Sequence, residues 1–157
     1  MQINDTKLFR ALKEARAKVK GNFKEQYGLV WDYAAKLQRS NQGTTTKINV
    51  TPVLQGPPQF KRFYVCLEAC KRGFMAGCRP FIGLDGCFLK GYYGGQLLTA
   101  VGTDANNHNY VIAYAIVEVE NKENWKWFLS LLNADVGPYA QRGLNFMSDM
   151  QKVHREL

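Results

Sequence analysis

Residues 80–90 read Pro-Phe-Ile-Gly-Leu-Asp-Gly-Cys-Phe-Leu-Lys. Phe81 to Leu89 is a compact apolar run of strand length, bounded by a proline and a glycine-rich turn, with a single carboxylate, Asp85, inside it. A carboxylate within an apolar strand is costly unless it is paired or holds a cation, so this run marks both a core strand and a candidate site. Two further apolar runs follow, Leu97 to Thr103 and Tyr110 to Val119, the second preceded by the turn-rich Asp104-Ala-Asn-Asn-His-Asn109. Short connections between three successive strands predict an antiparallel meander. Asn121 then caps a helix with Glu123 in its first turn and Trp125, Phe128, Leu129 and Leu132 on its apolar face, and Gly137-Pro138 ends it. Leu144 to Met147 is a fourth short strand, ending at Ser148-Asp149, after which a new helix begins.

Three antiparallel strands, a crossover helix and a strand beside the first are the opening of a ribonuclease H-like α/β sheet, and the right-handed crossover rule places strand four next to strand one. A small α+β domain shares the pattern. With strands one and four adjacent, Asp85 and Asp149 emerge together. Two like charges at close range repel unless a hard cation such as magnesium lies between them, the arrangement of a two-metal phosphoryl-transfer site. The other reading of the same residues is a turn-forming Asp85 before Gly86 and an Asp149 that caps the last helix.

Upstream, residues 5–20 predict a helix with Leu8, Leu12, Ala15 and Val19 in an apolar stripe and Lys7, Arg10, Lys13, Arg16, Lys18 and Lys20 around it. A second helix spans about 23–39, a strand Thr44 to Val50, and a third helix about 59–72 with Phe60, Phe63, Tyr64, Leu67 and Cys70 on one face. Pro52, Gly56, Pro57 and Pro58 separate a basic helical region, 1–58, from a domain at 59–157.

The 157 residues carry a net charge of +8, unevenly. Residues 1–79 hold 15 Lys and Arg against 5 Asp and Glu, a net +10; residues 80–157 hold 6 against 8, a net −2. A basic first half suits a polyanion, most often nucleic acid. Lys61, Arg62, Lys71, Arg72, Arg79 and Lys90, around the first strand, are candidate phosphate contacts, and a solvated basic face is the other reading. The longest apolar run, Tyr110 to Val117, is far short of the 20 or so residues of a membrane helix, and the first residues lack the apolar region of a secretory signal. Cys66, Cys70, Cys78 and Cys87 lack tight zinc-type pairs and read as reduced core thiols. Gly91-Tyr-Tyr-Gly-Gly95 is a turn, with no Lys-Ser/Thr to make a phosphate loop.

The wording of several segments is specific. Gly73 to Leu98, Ala-Val-Gly-Thr-Asp-Ala-Asn-Asn (100–107), Ala113 to Asn121, Trp125-Lys-Trp-Phe-Leu129 and Met147-Ser-Asp-Met-Gln-Lys152 together resemble the transposase domain of plant Mutator-like elements (MULE). Lys13 to Ala17, Gln26-Tyr27 and the Asn41-Gln-Gly43 turn resemble the region before that domain. The resemblance covers nearly the whole chain. It implies a ribonuclease H-like fold and a DDE/D site in which Asp85 and Asp149 are the first and second catalytic carboxylates, holding Mg2+ or Mn2+ to cut and join DNA in the nucleus. It implies no small-molecule cofactor. The family's third carboxylate lies well beyond the second, and Glu156 is too close to Asp149 to be it; Val153-His154 replaces the usual Gly-Leu. The family's last strand and helix and its Cys/His segment do not follow. The expectation is a partial transposase core that is inactive alone and self-associates through its open sheet. The alternative is a non-catalytic, transposase-derived protein that binds DNA or a partner.

Overall fold

The computed structural model describes residues 5–20, 27–56, 58–91 and 94–148. It divides into two compact units, residues 1–34 and 35–157. The first contains helix α1 (Asp5–Lys20), whose described side chains, Thr6 to Lys18, are all exposed. Helix α2 (Val30–Ser40) spans the division. The rest of the second unit runs β1 (Thr45–Thr51), β2 (Gln59–Cys66), α3 (Glu68–Gly77), β3 (Phe81–Phe88), β4 (Gln96–Thr103), β5 (Asn109–Val117), α4 (Lys122–Val136), the single turn α5 (Tyr139–Arg142) and β6 (Asn145–Ser148).

The six strands form one mixed sheet in the order β1-β2-β5-β4-β3-β6. The meander β3–β4–β5 is antiparallel, as its short connections require. β6 returns parallel to β3 after α4, with Phe81 opposite Asn145 and Leu84 opposite Ser148, so the expected neighbourhood of strands one and four is present. The architecture is mixed α/β.

The expected third helix at 59–72 is replaced by β2 and the later-starting α3. Residues 63–66 are buried on both faces of the sheet. An apolar run without alternation has the same texture in a strand covered on both sides as in a buried helix, which is why the sequence misleads here. β2 pairs with β5 on one side and with β1 on the other, so a hydrogen-bonded hairpin crosses the division expected at residue 58.

One face of the sheet carries the core. Trp125, Phe128, Leu132 and Val136 of α4 and Phe74 of α3 pack with Tyr64, Ile82, Leu84, Leu98, Ala100, Ile112, Ala115 and Val117. Phe128 meets Tyr64 and Trp125 edge to face, each at 5.7 Å between centroids, the arrangement that the ring quadrupoles favour. A register shift at Ala100/Val101 inserts Ile112 as an extra residue in β5, which lets Ile112 and Ala113 both be buried. Asn121 caps α4 as its sequence predicts, its side-chain oxygen accepting from the Asn124 N–H at 2.8 Å.

The hairpin β1–β2 is tied to the helices by a polar knot. The Asp135 carboxylate of α4 accepts from Thr45 Oγ1 at 2.6 Å and Tyr64 OH at 2.7 Å and pairs with Lys71 Nζ at 2.8 Å. Lys71 also donates to the Gly43 carbonyl and to Thr45 Oγ1. Burial raises the Tyr64 hydroxyl far above its ordinary pKa and pushes the neighbouring Cys66 thiol up to about 12.

Candidate functional site

Alternation along β3 sends Ile82 and Leu84 into the core and Gly83 and Asp85 to the opposite face, which no helix of the core layer covers. Asp85 is therefore exposed, although its neighbours in sequence are apolar. The open face spares it the desolvation that an apolar strand otherwise imposes. Asp85 Oδ1 accepts from the Gly86 N–H at 2.8 Å, and Thr99, its partner across β4, donates from Oγ1 to the Asp85 carbonyl at 3.2 Å. The strand is thus held on both sides of the carboxylate while the carboxylate keeps free acceptor lone pairs. Asp85 lines a shallow groove with Phe81, Gly83, Val101, Thr103 and Met147.

β6 brings the second expected segment beside the first. Met147 stands opposite Gly83 and Ser148 opposite Leu84, the residue before Asp85. Asp149, His154 and Glu156 lie outside the described residues, as does the helix expected after Asp149. β3 and β6 run parallel, so the groove runs along the first five residues of β3 and meets β6 at its last two, Met147 and Ser148.

Behind Asp85 lies a residue that the sequence gives little reason to single out. Glu120 is only 7% exposed. Its carboxylate accepts from the Trp125 indole N–H at 2.9 Å and occupies the space over Gly86, where an added Cβ would come within 3.1 Å of it. Gln96 shares that face of the sheet, diagonal to Gly86, buried with its side-chain oxygen unpartnered. The readable signal is Trp125 five residues on, a buried indole in need of an acceptor.

The six basic residues expected to meet phosphate are not equivalent. Lys61 Nζ pairs with Glu123 Oε1 at 3.0 Å, and the hydrogen bond holds that carboxyl below its usual range. Arg62 is largely enclosed, bonding Asn124 Oδ1 at 3.0 Å and Glu123 at 3.5 Å, with its guanidinium 4.4 Å above the Trp127 ring. Lys71 is committed to Asp135 and 12% exposed. Arg72 pairs with Glu68 at 3.6 Å. Arg79 and Lys90 are exposed and without an ion pair among the described residues. Glu123 and Asp135, the anchors of Lys61 and Lys71, are 12 residues apart on α4, about 18 Å along a helix. The six do not form one cluster.

Cys66 is buried, Cys70 and Cys78 half-buried, and all are free thiols; Cys87 is exposed and so departs from the core reading. Among the described residues no three His, Cys, Asp or Glu side chains gather as a metal group. His108 sits in the β4–β5 turn against Asp104, whose carboxyl the His108 and Asn106 backbone N–H groups hold below its usual range. No described helix is long and apolar enough to cross a membrane.

Compared with protein families, residues 81–155 match the MULE transposase domain. The matched stretch opens at the first residue of β3 and includes the meander, α4 and β6. Comparison with curated proteins and with solved structures finds no match. The chain is MULE transposase-like over this stretch, which points to a function related to DNA transposition.

Proposed function

We propose that the domain is a ribonuclease H-like DNA-strand transferase core, with Asp85 and Asp149 as the residues that hold Mg2+ or Mn2+. The observation that carries this reading is the parallel pairing of β6 with β3, which brings Ser148, the neighbour of Asp149, opposite Leu84, the neighbour of Asp85. The strand order β5-β4-β3-β6 supports the fold assignment, and the MULE match supports a transposition-related chemistry. The donor set fits a hard cation: a solvent-facing carboxylate that, among the described residues, accepts one local N–H, on a strand pinned by Thr99. A divalent ion there would supply a Lewis acid and an activated water or 3′-hydroxyl. The chain's own part is to fix the Asp85 carboxylate at the rim of an open groove, which duplex DNA can approach. Nuclear residence goes with this reading.

The test is Mn2+ titration of the 157-residue chain followed by electron paramagnetic resonance. Asp85→Asn and Asp149→Asn should each weaken binding at least tenfold, and the exposed Glu118→Gln should not. Wild-type affinity in Asp149→Asn would refute the shared site. Nicking of a labelled duplex, abolished by Asp85→Asn, separates a complete catalyst from a chain that only binds DNA.

A further inference from the structure

Helix α1 carries a feature that the transposase-like domain does not absorb. Leu8, Leu12 and Ala15 fall at i, i+4 and i+7 and form its apolar stripe; Phe9, Lys13 and Arg16 have the same spacing, one residue on, and form a second stripe rotated by about 100°. Arg10 flanks this second stripe, and Phe9, Arg10, Lys13 and Arg16 line one shallow depression together with Thr6 and Leu12. Phe9 is 76% exposed, although it does not lie on the apolar stripe. Arg10, Lys13 and Arg16 are exposed and make no ion pair among the described residues. Four of the six basic residues at 61–90 are, by contrast, committed to Glu68, Glu123 or Asp135. The 16 residues of α1 hold six basic and two acidic side chains, a net +4 out of the chain's +8.

We propose that the Phe9–Arg10–Lys13–Arg16 stripe of α1 is a docking surface for the phosphate backbone of duplex DNA. The proposal rests on the DNA reading above and deepens it by moving the main non-specific contact from residues 61–72 to α1. Charge complementarity identifies the occupant: Arg10 to Arg16 spans about 9 Å of helix axis, over which a duplex presents several phosphates. A helix lying on a lipid surface instead places its aromatic side chain on the apolar face, whereas Phe9 heads the stripe that continues into Lys13 and Arg16.

The experiment is fluorescence anisotropy of a labelled duplex of arbitrary sequence, titrated with the full chain at several salt concentrations. The triple variant Arg10→Gln/Lys13→Gln/Arg16→Gln keeps helix-forming side chains and removes three charges. Losing three phosphate contacts should make the slope of log K against log salt shallower by about 2.7, with circular dichroism and the thermal midpoint unchanged. Lys61→Gln, which removes a surface cation already paired with Glu123, should leave the slope as it is. Wild-type binding with the same slope in the triple variant overturns this proposal and leaves the DNA reading standing. No wild-type binding even at low salt overturns both. Binding to vesicles one-quarter phosphatidylserine that is tighter than to DNA, and lost in the triple variant, assigns the stripe to a membrane and overturns the DNA docking.

Discussion

Asp135→Ala is the substitution whose cost can be worked out most directly. The carboxylate receives three hydrogen bonds within 2.8 Å, from Thr45, Tyr64 and Lys71, and its side chain is 7% exposed against 12% for Lys71. Removing it leaves an ammonium largely out of water with only the more distant Glu68 carboxylate at 3.8 Å as counter-charge, together with a tyrosine and a threonine hydroxyl without their acceptor. Breaking a buried pair by deleting one partner costs about 3–5 kcal/mol. A domain of this size is stable by about 5–15 kcal/mol, so a fifth or more of its stability is at stake. The thermal midpoint should fall by about 6–20 °C, at about 2–4 °C per kcal/mol. Melts followed by circular dichroism measure it, with urea titration for the free energy. Lys71→Met should also destabilise, by leaving Asp135 buried and unpaired. The double variant Asp135→Leu/Lys71→Met should recover much of the loss, because apolar residues replace a buried pair at little cost. A change under about 0.5 kcal/mol in Asp135→Ala would refute the reasoning and return Lys71 to the pool of solvated cations.

Gly95→Ala combines a φ of 92° with a Cβ 2.8 Å from the Val117 carbonyl oxygen, and should cost about 2 kcal/mol or more in a urea titration; a neutral result would mean that the backbone at Gly95 shifts away from β5. Gly86→Ala pushes on Glu120, which the Trp125 indole holds in place, and should destabilise by about 1–2 kcal/mol, with a blue-shifted or broadened Trp fluorescence spectrum as the local sign. Cys66, with its folded pKa raised to about 12 from an ordinary 9, keeps its proton more tightly when folded. Its contribution is thus full below pH 9 and is lost as pH rises from there towards 12. Urea midpoints should fall across that window, Tyr64 adding to the loss in the same direction, and a flat alkaline profile would contradict the burial of both.

The meander, α4 and β6 were legible because each has a local signature: apolar runs of strand length, turn residues at 104–109, an Asn cap, a Gly-Pro stop. The place of β6 followed from chain connectivity alone. β2 was not legible, because residues 63–66 are buried on both faces and so lose the period-2 alternation that marks a strand. The strand of Asp85 was legible, but the face it takes was not: an apolar run does not say which of its alternate residues point outward, and only the sheet shows it. The pairing of the basic residues was not legible, for a different reason. Charge can be counted in a sequence, but whether Lys71 meets solvent or Asp135, 64 residues away, depends on the tertiary fold.

The short β6 strand has a kinetic consequence. Its four residues pair only with β3, at the rim of the sheet described, whereas β4 and β5 are each flanked by two strands and lie under the α4 core. Regions with few buried contacts open at low free energy, long before the domain as a whole. Amides of β6 should therefore exchange with solvent orders of magnitude faster than those of β4 and β5. β6 also has the largest loop to close, since it must wait for α4 to cross over before it can zip onto β3. The half of the groove nearest Ser148 is then the last part of the domain to assemble and the first to open, so occupancy of that groove would slow exchange in β6 first.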